Sequence, residues 1–573
     1  MSEFANSRPS SDRVTPITRS RKSSCAVVIY RYDQTDIAKL LNLNATNDQQ
    51  LANTASSSTS GNLQARSRLV VRQDIIRCTF QNAKGSSSGS FSLTLKRGKQ
   101  VKGGANQESN IDYAEAVNAG DWIMIYAKRS NEISDSDINS TSAKSGFKFL
   151  GIIESVRLSE VDDPSSGTPR LEYTISGKSF GKVFESSIFF NPIVNKQALE
   201  TALGVDFLKD SSNALKPVRD NTADNVIKRL TEFYLGAKLA SRSAANEAWY
   251  IPQALASMFK GTRDKKLGKA FVDILDLTKI GLHKYQNNTF KRADTLSFGS
   301  AFVSSLPSSG TIWSTLQFLQ NAAVNELYTE LVKGSDGRLK PGLILRQIPF
   351  SNKENHETNI LAAHKKATGQ SLTDSVRTSE KTYFVDLPYT SIVSSDIRQK
   401  NIGKSDHERI NYAIVTPRLT KAFDIAFVAA SNAPSVQRYG LKTFQTQTSY
   451  VFSTSAVTEF DLKTTCQKCV DLIKDWFFLG HNLYSGTIVT DGMDDFVEVG
   501  SNLFISDIKQ LFHIEAYAYT WEIAPGGNVN YVTEFRVSRG QRYNNSKASF
   551  IGTSAIANEP TTIVTSFVKR EGK

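Results

Sequence analysis

The strongest constraint on this chain is that it carries one β pattern twice. Gly120-Asp-Trp-Ile-Met-Ile125 is followed by GIIESV (151–156) and then by Glu172-Tyr-Thr-Ile-Ser-Gly177. Gly500-Ser-Asn-Leu-Phe-Ile505 is followed by HIEAYAYTW (513–521) and then by Glu534-Phe-Arg-Val-Ser-Arg539. The order is the same, and the longer spacing of the first copy is nearly matched by its polar loop, residues 129–145. A repeat of this kind implies two copies of one β unit in each molecule, each with an apolar face to bury.

Around the first copy the signals are those of a small barrel or sandwich. CAVVIYRY (25–32), IIRCTF (75–80), SFSLTL (90–95), DWIMIYA (121–127), FKFLGIIESV (147–156) and RLEYTISG (170–177) are short apolar or alternating runs separated by Gly, Ser and Asn. In DWIMIYA both faces are apolar, Trp122, Met124 and Tyr126 against Ile123, Ile125 and Ala127. Such a strand is covered on both sides, by a core on one face and by a second layer or subunit on the other. Residues 1–24, with Arg8, Arg13, Arg19, Arg21 and Lys22 among Ser, Thr and Pro, read as a flexible basic tail, and residues 42–64 as a polar insertion.

After Pro192 the spacing turns helical, at 197–208 and at 222–235, where Val226, Ile227, Leu230, Phe233 and Tyr234 form one stripe. A helix at about 311–324 precedes NELYTEL (325–331) and LILRQIPF (343–350), whose link through Gly334-Ser-Asp-Gly337 predicts a hairpin. The last block has a helix over 466–479 and strands FVEVG (496–500), NLFI (502–505), FHIEAYAYTWEI (512–523) and YVTEFRVS (531–538). The fold class is therefore α+β, mainly β. Two small β-barrel or sandwich domains, 25–192 and 436–545, are separated by a helical region, 193–305, and a mixed α/β region, 306–435; residues 546–573 read as a tail.

Composition limits the chemistry. With 69 Lys plus Arg against 56 Asp plus Glu the net charge is +13, spread along the chain, which fits a solvated basic surface or an acidic partner but shows no concentrated nucleic-acid face. Four Cys are too few for a disulfide scaffold, Met1 to Arg21 has no apolar leader core, and no run reaches the ~18 apolar residues of a membrane span. Synthesis in a reducing cytoplasm and no membrane span are the expectations.

No motif for catalysis emerges. Gly-Lys-Ser at 177–179 and at 403–405 lacks the upstream glycine of a phosphate loop, because Glu172 and Arg398 stand there. Cys466 and Cys469 have CxxC spacing, but no second pair completes a metal tetrad. They fall on one helical stripe with Val470, Ile473 and Phe477, which reads as core. His283, His356, His364, His407, His481 and His513 stand apart without a nucleophile or base partner, and Asp491, Asp494 and Asp495 lie in a turn-rich segment that reads as a solvated loop. The expectation is no enzyme, no cofactor and no metal.

Several longer stretches carry a resemblance. YTISGKSFGKVFE (173–185), WSTLQFLQNAAVNELYTEL (313–331) with LILRQIPF, VSSDIRQKNIGKSDHERINYAIV (393–415), RYGLK (438–442) and HNLYSGTIVTDGMDDFVEVGSNLFI (481–505) through FRVSRGQRY (535–543) occur in the order found in baseplate central hub proteins of contractile-tailed phages. The chain resembles that family, the T-even hub and late control protein D, over roughly residues 25–545. The resemblance implies a homotrimeric ring with two tube-like β domains per chain, so that three chains offer a pseudo-sixfold face to a hexameric tail tube and a threefold face to a trimeric central spike. It further implies a virion baseplate location, contacts with tape measure and baseplate wedge proteins, and DNA passing through the lumen. Gly120, Trp122, Ile123, Met124, Ile125, Tyr126, Val499, Leu503, Phe504 and Ile505 are then candidate ring-forming strands, and Tyr517, Tyr519 and Trp521 aromatic anchors; the competing reading is sandwich core. Another tail-tip or tube-initiator component, a DNA-binding protein and a cell-wall hydrolase are the alternatives.

Overall fold

The computed structural model of the chain describes residues 23–32, 68–101, 108–129, 132–162, 169–189, 251–260, 271–277, 309–320, 324–348, 387–419, 423–452, 459–478, 480–524, 527–542 and 561–569, with isolated positions at 227, 228, 231, 235, 249 and 322. The basic tail except its last two residues, the 42–64 insertion and most of the 193–305 helical region lie outside the described residues.

The fold is mainly β with helices set against the sheets. In chain order the strands that matter are β1 (Ser24–Tyr30), β2 (Ile75–Ala83), β3 (Ser90–Lys96), β4 (Trp122–Lys128), β5 (Phe147–Asp162) and β6 (Pro169–Ser179). A hairpin follows, β7 (Asn325–Lys333) and β8 (Leu339–Gln347), then β9 (Tyr389–Ile392), β10 (Ile397–Gly403), β11 (Tyr412–Leu419), β12 (Phe423–Asn432) and β13 (Thr443–Phe452). After helix α1 (Glu459–Phe477) come β14 (Tyr484–Asp491), β15 (Asn502–Ile505), β16 (Gln510–Ile523), β17 (Val529–Arg542) and β18 (Thr561–Lys569).

The duplication is explicit in the pairing. The first module has strand order β2-β3-β6-β5-β4-β1 and the second β10-β14-β17-β16-β15-β9, with corresponding strands in the same chain order. One partner relation differs: β1 runs antiparallel to β4, whereas β9 runs parallel to β15. Irregularities recur at the same places. A bulge lies between Ile153 and Ser155 in β5 and between Ile514 and Ala516 in β16, and another between Ile75 and Arg77 in β2 and between Ile397 and Gln399 in β10. The turn entering β4 also matches the turn entering β15. Gly120 N–H donates to the Ile153 carbonyl at 2.8 Å, and Gly500 N–H to the Ile514 carbonyl at 2.9 Å. Both glycines have positive φ, +97° and +76°, the left-handed region that glycine enters without a Cβ penalty.

The register aligns Ile175 with Phe535, because each faces the residue after the equivalent bulge by one step, Val156 and Tyr517. The sequence alignment of Glu172 with Glu534 is therefore two residues out. A shift of two keeps every side chain on its own face, so alternation alone does not detect it.

The domain boundary expected at 435/436 does not follow the sheets. β9 and β10 lie on the early side of it yet belong to the second module, and β13 and α1 lie on the late side yet belong to a separate unit. That unit is a four-stranded sheet in the order β13-β11-β12-β18, and α1 covers it. All of it except β18 is inserted between β10 and β14, where the first module has only the short connection 84–89. Cys466, Cys469, Val470 and Ile473, spaced for one helical face, pack against Ala413, Val415, Val428 and Ala430. β18 makes part of the expected C-terminal tail a paired strand, in register with β12 from Thr561 against Asn432. FVEVG is not a strand but the approach to the Gly500 turn, and Tyr484–Asp491 is a strand that turn-rich composition concealed.

The hairpin forms as expected, with Gly337 at φ +73° in the turn. The 129–145 loop docks on it through Ala143 N–H to the Gly337 carbonyl and Leu339 N–H to the Thr141 carbonyl, and it buries Ile133 and Ile138.

Candidate assembly interface

The two modules are joined edge to edge inside the chain. β16 pairs antiparallel with β2 over Ala516↔Ala83 to Glu522↔Arg77, with Tyr519 opposite Phe80 and Trp521 opposite Cys78. The Phe80 and Tyr519 rings stack at 4.8 Å, and Arg77 pairs with Glu522 at 3.8 Å on the outer face. One apolar core, from Cys78 and Phe80 to Tyr519 and Trp521, runs beneath both modules.

Beside this junction lies a buried ionic cluster that also takes in β7 and β8. Lys84 Nζ is 2.7 Å from Glu326 Oε2 and 3.1 Å from Glu515 Oε2, and it donates to His513 Nε2 at 2.8 Å. A lysine ammonium only donates, so Nε2 is the unprotonated nitrogen and Nδ1–H faces Asn502 Oδ1 at 3.2 Å. Burial, and next the Lys84 cation, hold the His513 imidazole well below its ordinary range, so it is neutral. Burial would raise the Glu326 carboxyl, but Arg346 and Lys84 outweigh it and bring it down to about 2. Among the described residues Glu330 forms no ion pair. Burial raises it to about 8, while Leu331 N–H and Val499 N–H donate to its two oxygens and Tyr517 Oη lies 3.1 Å from Oε1. In such a cluster the loss of one partner is costly, because it leaves a buried charge uncompensated.

A second contact closes the modules from the other end. Arg129 bridges Asp491 at 2.6 Å and Asp396 at 3.0 Å, while Arg398 also reaches Asp491 at 2.5 Å. Lys148 Nζ donates to the Asp494 and Asp495 carbonyls at 2.7 and 2.6 Å, and burial lowers it to about 7. Asp494 and Asp495 are exposed, as expected of a solvated loop, while Asp491 and the two backbone carbonyls make the same segment a clamp between the modules.

The candidate strands are core within one chain. Trp122, Ile123, Met124, Ile125 and Tyr126 are buried, and both edges of β4 are taken by β1 and β5. Trp122 packs on Phe271 at 5.7 Å, so the second layer that two apolar faces required comes from the chain itself. Gly120 lies exposed in the turn. Val499, Leu503 and Ile505 are buried, and half-buried Phe504 meets the exposed Tyr389 ring edge-on at 5.7 Å. Tyr517, Tyr519 and Trp521 do join two β modules, but both are modules of one chain.

Among the described residues, β9 and the strand Arg68–Val71 are open on their outer sides, and so are two further module edges. β10 pairs with β14 on one side only, and the C-terminal half of β5 pairs with β6 on one side only. β10 exposes Arg398, Gln399, Lys400 and Asn401, and β5 exposes Arg157, Leu158, Ser159 and Glu160, with Leu158 half exposed at 50%. Sequence reading missed both, since each is a polar strand half that resembles a loop-facing surface.

No protein-family model and no curated protein matches the chain. Among solved structures it is similar to the tail protein from Neisseria meningitidis MC58, with a TM-score of 0.38 at 9% identity over 82% of this chain and 93% of that one. It is also similar to the 43 kDa tail protein of prophage MuSo2 from Shewanella oneidensis, with a TM-score of 0.36 at 8% identity over 82% and 95%. Likeness this slight carries no conclusion about function.

Proposed function

We propose that the chain is a structural component of a contractile phage tail, the hub that joins a hexameric tube to a trimeric spike and leaves a passage for DNA. The observation that carries this reading is the duplicated six-stranded module, joined to its copy edge to edge. Two modules per chain in three chains make six similar units, which is how a threefold ring matches a sixfold tube. The order of segments in the sequence that resembles hub proteins points the same way. On this reading the chain catalyses nothing, sits in the baseplate of the virion, and contacts tube, spike, tape measure and wedge proteins. Light scattering of the concentrated protein, with negative-stain imaging alone and after mixing with tube and spike proteins, tests it. Three copies around a hole that cap the tube support the hub; a chain that stays monomeric in every mixture refutes it.

A further inference from the structure

Of the open edges, those of β10 and of the C-terminal half of β5 are the counterparts of the two edges that meet inside the chain. β10 corresponds to β2, and the C-terminal half of β5 corresponds to that of β16, as the shared strand order and shared bulges establish. Stepping through the paired partners places Ile402 where Phe80 stands in the first module, Lys400 where Cys78 stands and Asn401 where Thr79 stands. The same procedure places Leu158 where Tyr519 stands, Ser159 where Thr520 stands and Glu160 where Trp521 stands.

We propose that β10 of one copy pairs antiparallel with the C-terminal half of β5 of a second copy of this chain, in the register Leu158↔Ile402, Ser159↔Asn401 and Glu160↔Lys400. This inference rests on the ring reading above and specifies its contact. Three observations support the second copy as occupant. The register sets a carboxylate opposite an ammonium and an aliphatic side chain opposite another, as cross-strand pairs require. The core beneath the modules ends at these edges in partly buried residues, Val156 on one side and Ile397 and Ile402 on the other, so pairing continues a core already formed. Each edge also presents unpaired backbone donors and acceptors that a strand satisfies. Because the two edges differ, the contact is head-to-tail and closes into a ring when the rotation allows. Lys400 Nζ now contacts Gln510 Oε1 at 2.6 Å and would turn from it toward Glu160.

The test compares the full chain with Lys400→Glu, Glu160→Lys, the double reversal, and Leu158→Cys combined with Ile402→Cys. Both charged residues are exposed, so thermal melts of the variants should match wild type. Each single reversal should weaken self-association at least tenfold by light scattering, and the double reversal should restore it. The double cysteine variant should form intermolecular disulfides under oxidation, whereas Leu158→Cys with Lys400→Cys, shifted by two residues, should not; the four native cysteines are buried and outside any disulfide. An oligomer insensitive to the reversals that cross-links only in the shifted pair overturns this register and leaves the ring reading standing. A wild-type chain that remains monomeric at every concentration and with tube and spike proteins overturns both.

Discussion

Replacing Lys84 by Met tests the view that the ionic cluster holds the two modules in register. Lys84 follows β2, contacts Glu326 of the hairpin and both His513 and Glu515 of the second module, and its side chain is only 13% exposed. Met keeps the apolar stem and removes the charge. Glu326 retains Arg346, Glu515 retains the Ser538 hydroxyl, and His513 Nε2 loses this donor. Breaking a buried ion pair by removing one partner costs about 3–5 kcal/mol, chiefly because the remaining charge is stranded. Because the chain has several units, a single unfolding free energy is not defined, and the readout should be the urea transition reported by the junction. Hydrogen exchange at the β2–β16 amides gives that transition directly. A second substitution, Glu515→Gln, removes the carboxylate whose ion pair was to Lys84, so the double variant should be less destabilised than the two single costs predict, by about 2 kcal/mol. A Lys84→Met cost below about 1 kcal/mol, or strict additivity in the cycle, would refute the argument, since exposed pairs are worth that little.

The other expectations are more local. Glu330 titrates at about 8 when folded against an ordinary 4.5, so its contribution to stability is present below 4.5 and is lost as pH rises through 8; the Glu330→Gln variant lacks this slope, and melts from pH 6 to 9 should show the gap to wild type narrowing. Gly120→Ala and Gly500→Ala separate backbone strain from crowding: a Cβ at 120 meets nothing within 4 Å and should cost about 1 kcal/mol, whereas one at 500 would lie 2.3 Å from Tyr328 Oη and should cost about 3 kcal/mol or more, read as loss of thermal stability. Asp491→Asn removes the shared carboxylate of Arg129 and Arg398, a half-exposed clamp worth about 1 kcal/mol, and its effect should shrink in 1 M salt; an effect independent of salt would contradict the assignment.

What was legible in the sequence was whatever alternation or continuity of apolar residues encodes. DWIMIYA was readable as a strand covered on both faces because nothing in it tolerates water, and the hairpin was readable from Asp-Gly between two apolar runs. The ionic cluster was not, because Lys84, Glu326, Arg346, His513 and Glu515 are far apart in the chain and each alone looks like an ordinary solvated group. A signal existed in NELYTELVK, where Glu326 and Glu330 share a face with Tyr328 and Val332: a strand buried throughout except at its last residue leaves those acids no water. Domain boundaries failed for a topological reason, since an insertion in a strand connection separates β10 from β14 along the chain without changing the sheet they form.

The same topology leaves the apolar candidates buried within the chain and the polar strand halves open on one side. A strand such as β4, rich in apolar residues on both faces, reaches its lowest free energy by being covered within its own chain, because folding precedes assembly and exposed apolar strands aggregate. An edge kept for a partner must instead survive in water. β10 and the end of β5 meet that demand with Lys400, Asn401, Ser159 and Glu160, residues that solvate an open strand and still complement a strand laid against it. In the junction inside the chain, where no free state has to be tolerated, the same positions hold Cys78, Thr79, Thr520 and Trp521. On the proposed pairing, the substitution of a charged pair for Trp521 and Cys78 at otherwise equivalent positions distinguishes an edge that waits for a partner from one that is always paired. If charge reversal at Lys400 and Glu160 leaves assembly unchanged, that distinction fails, and these residues are ordinary protection of a permanent edge.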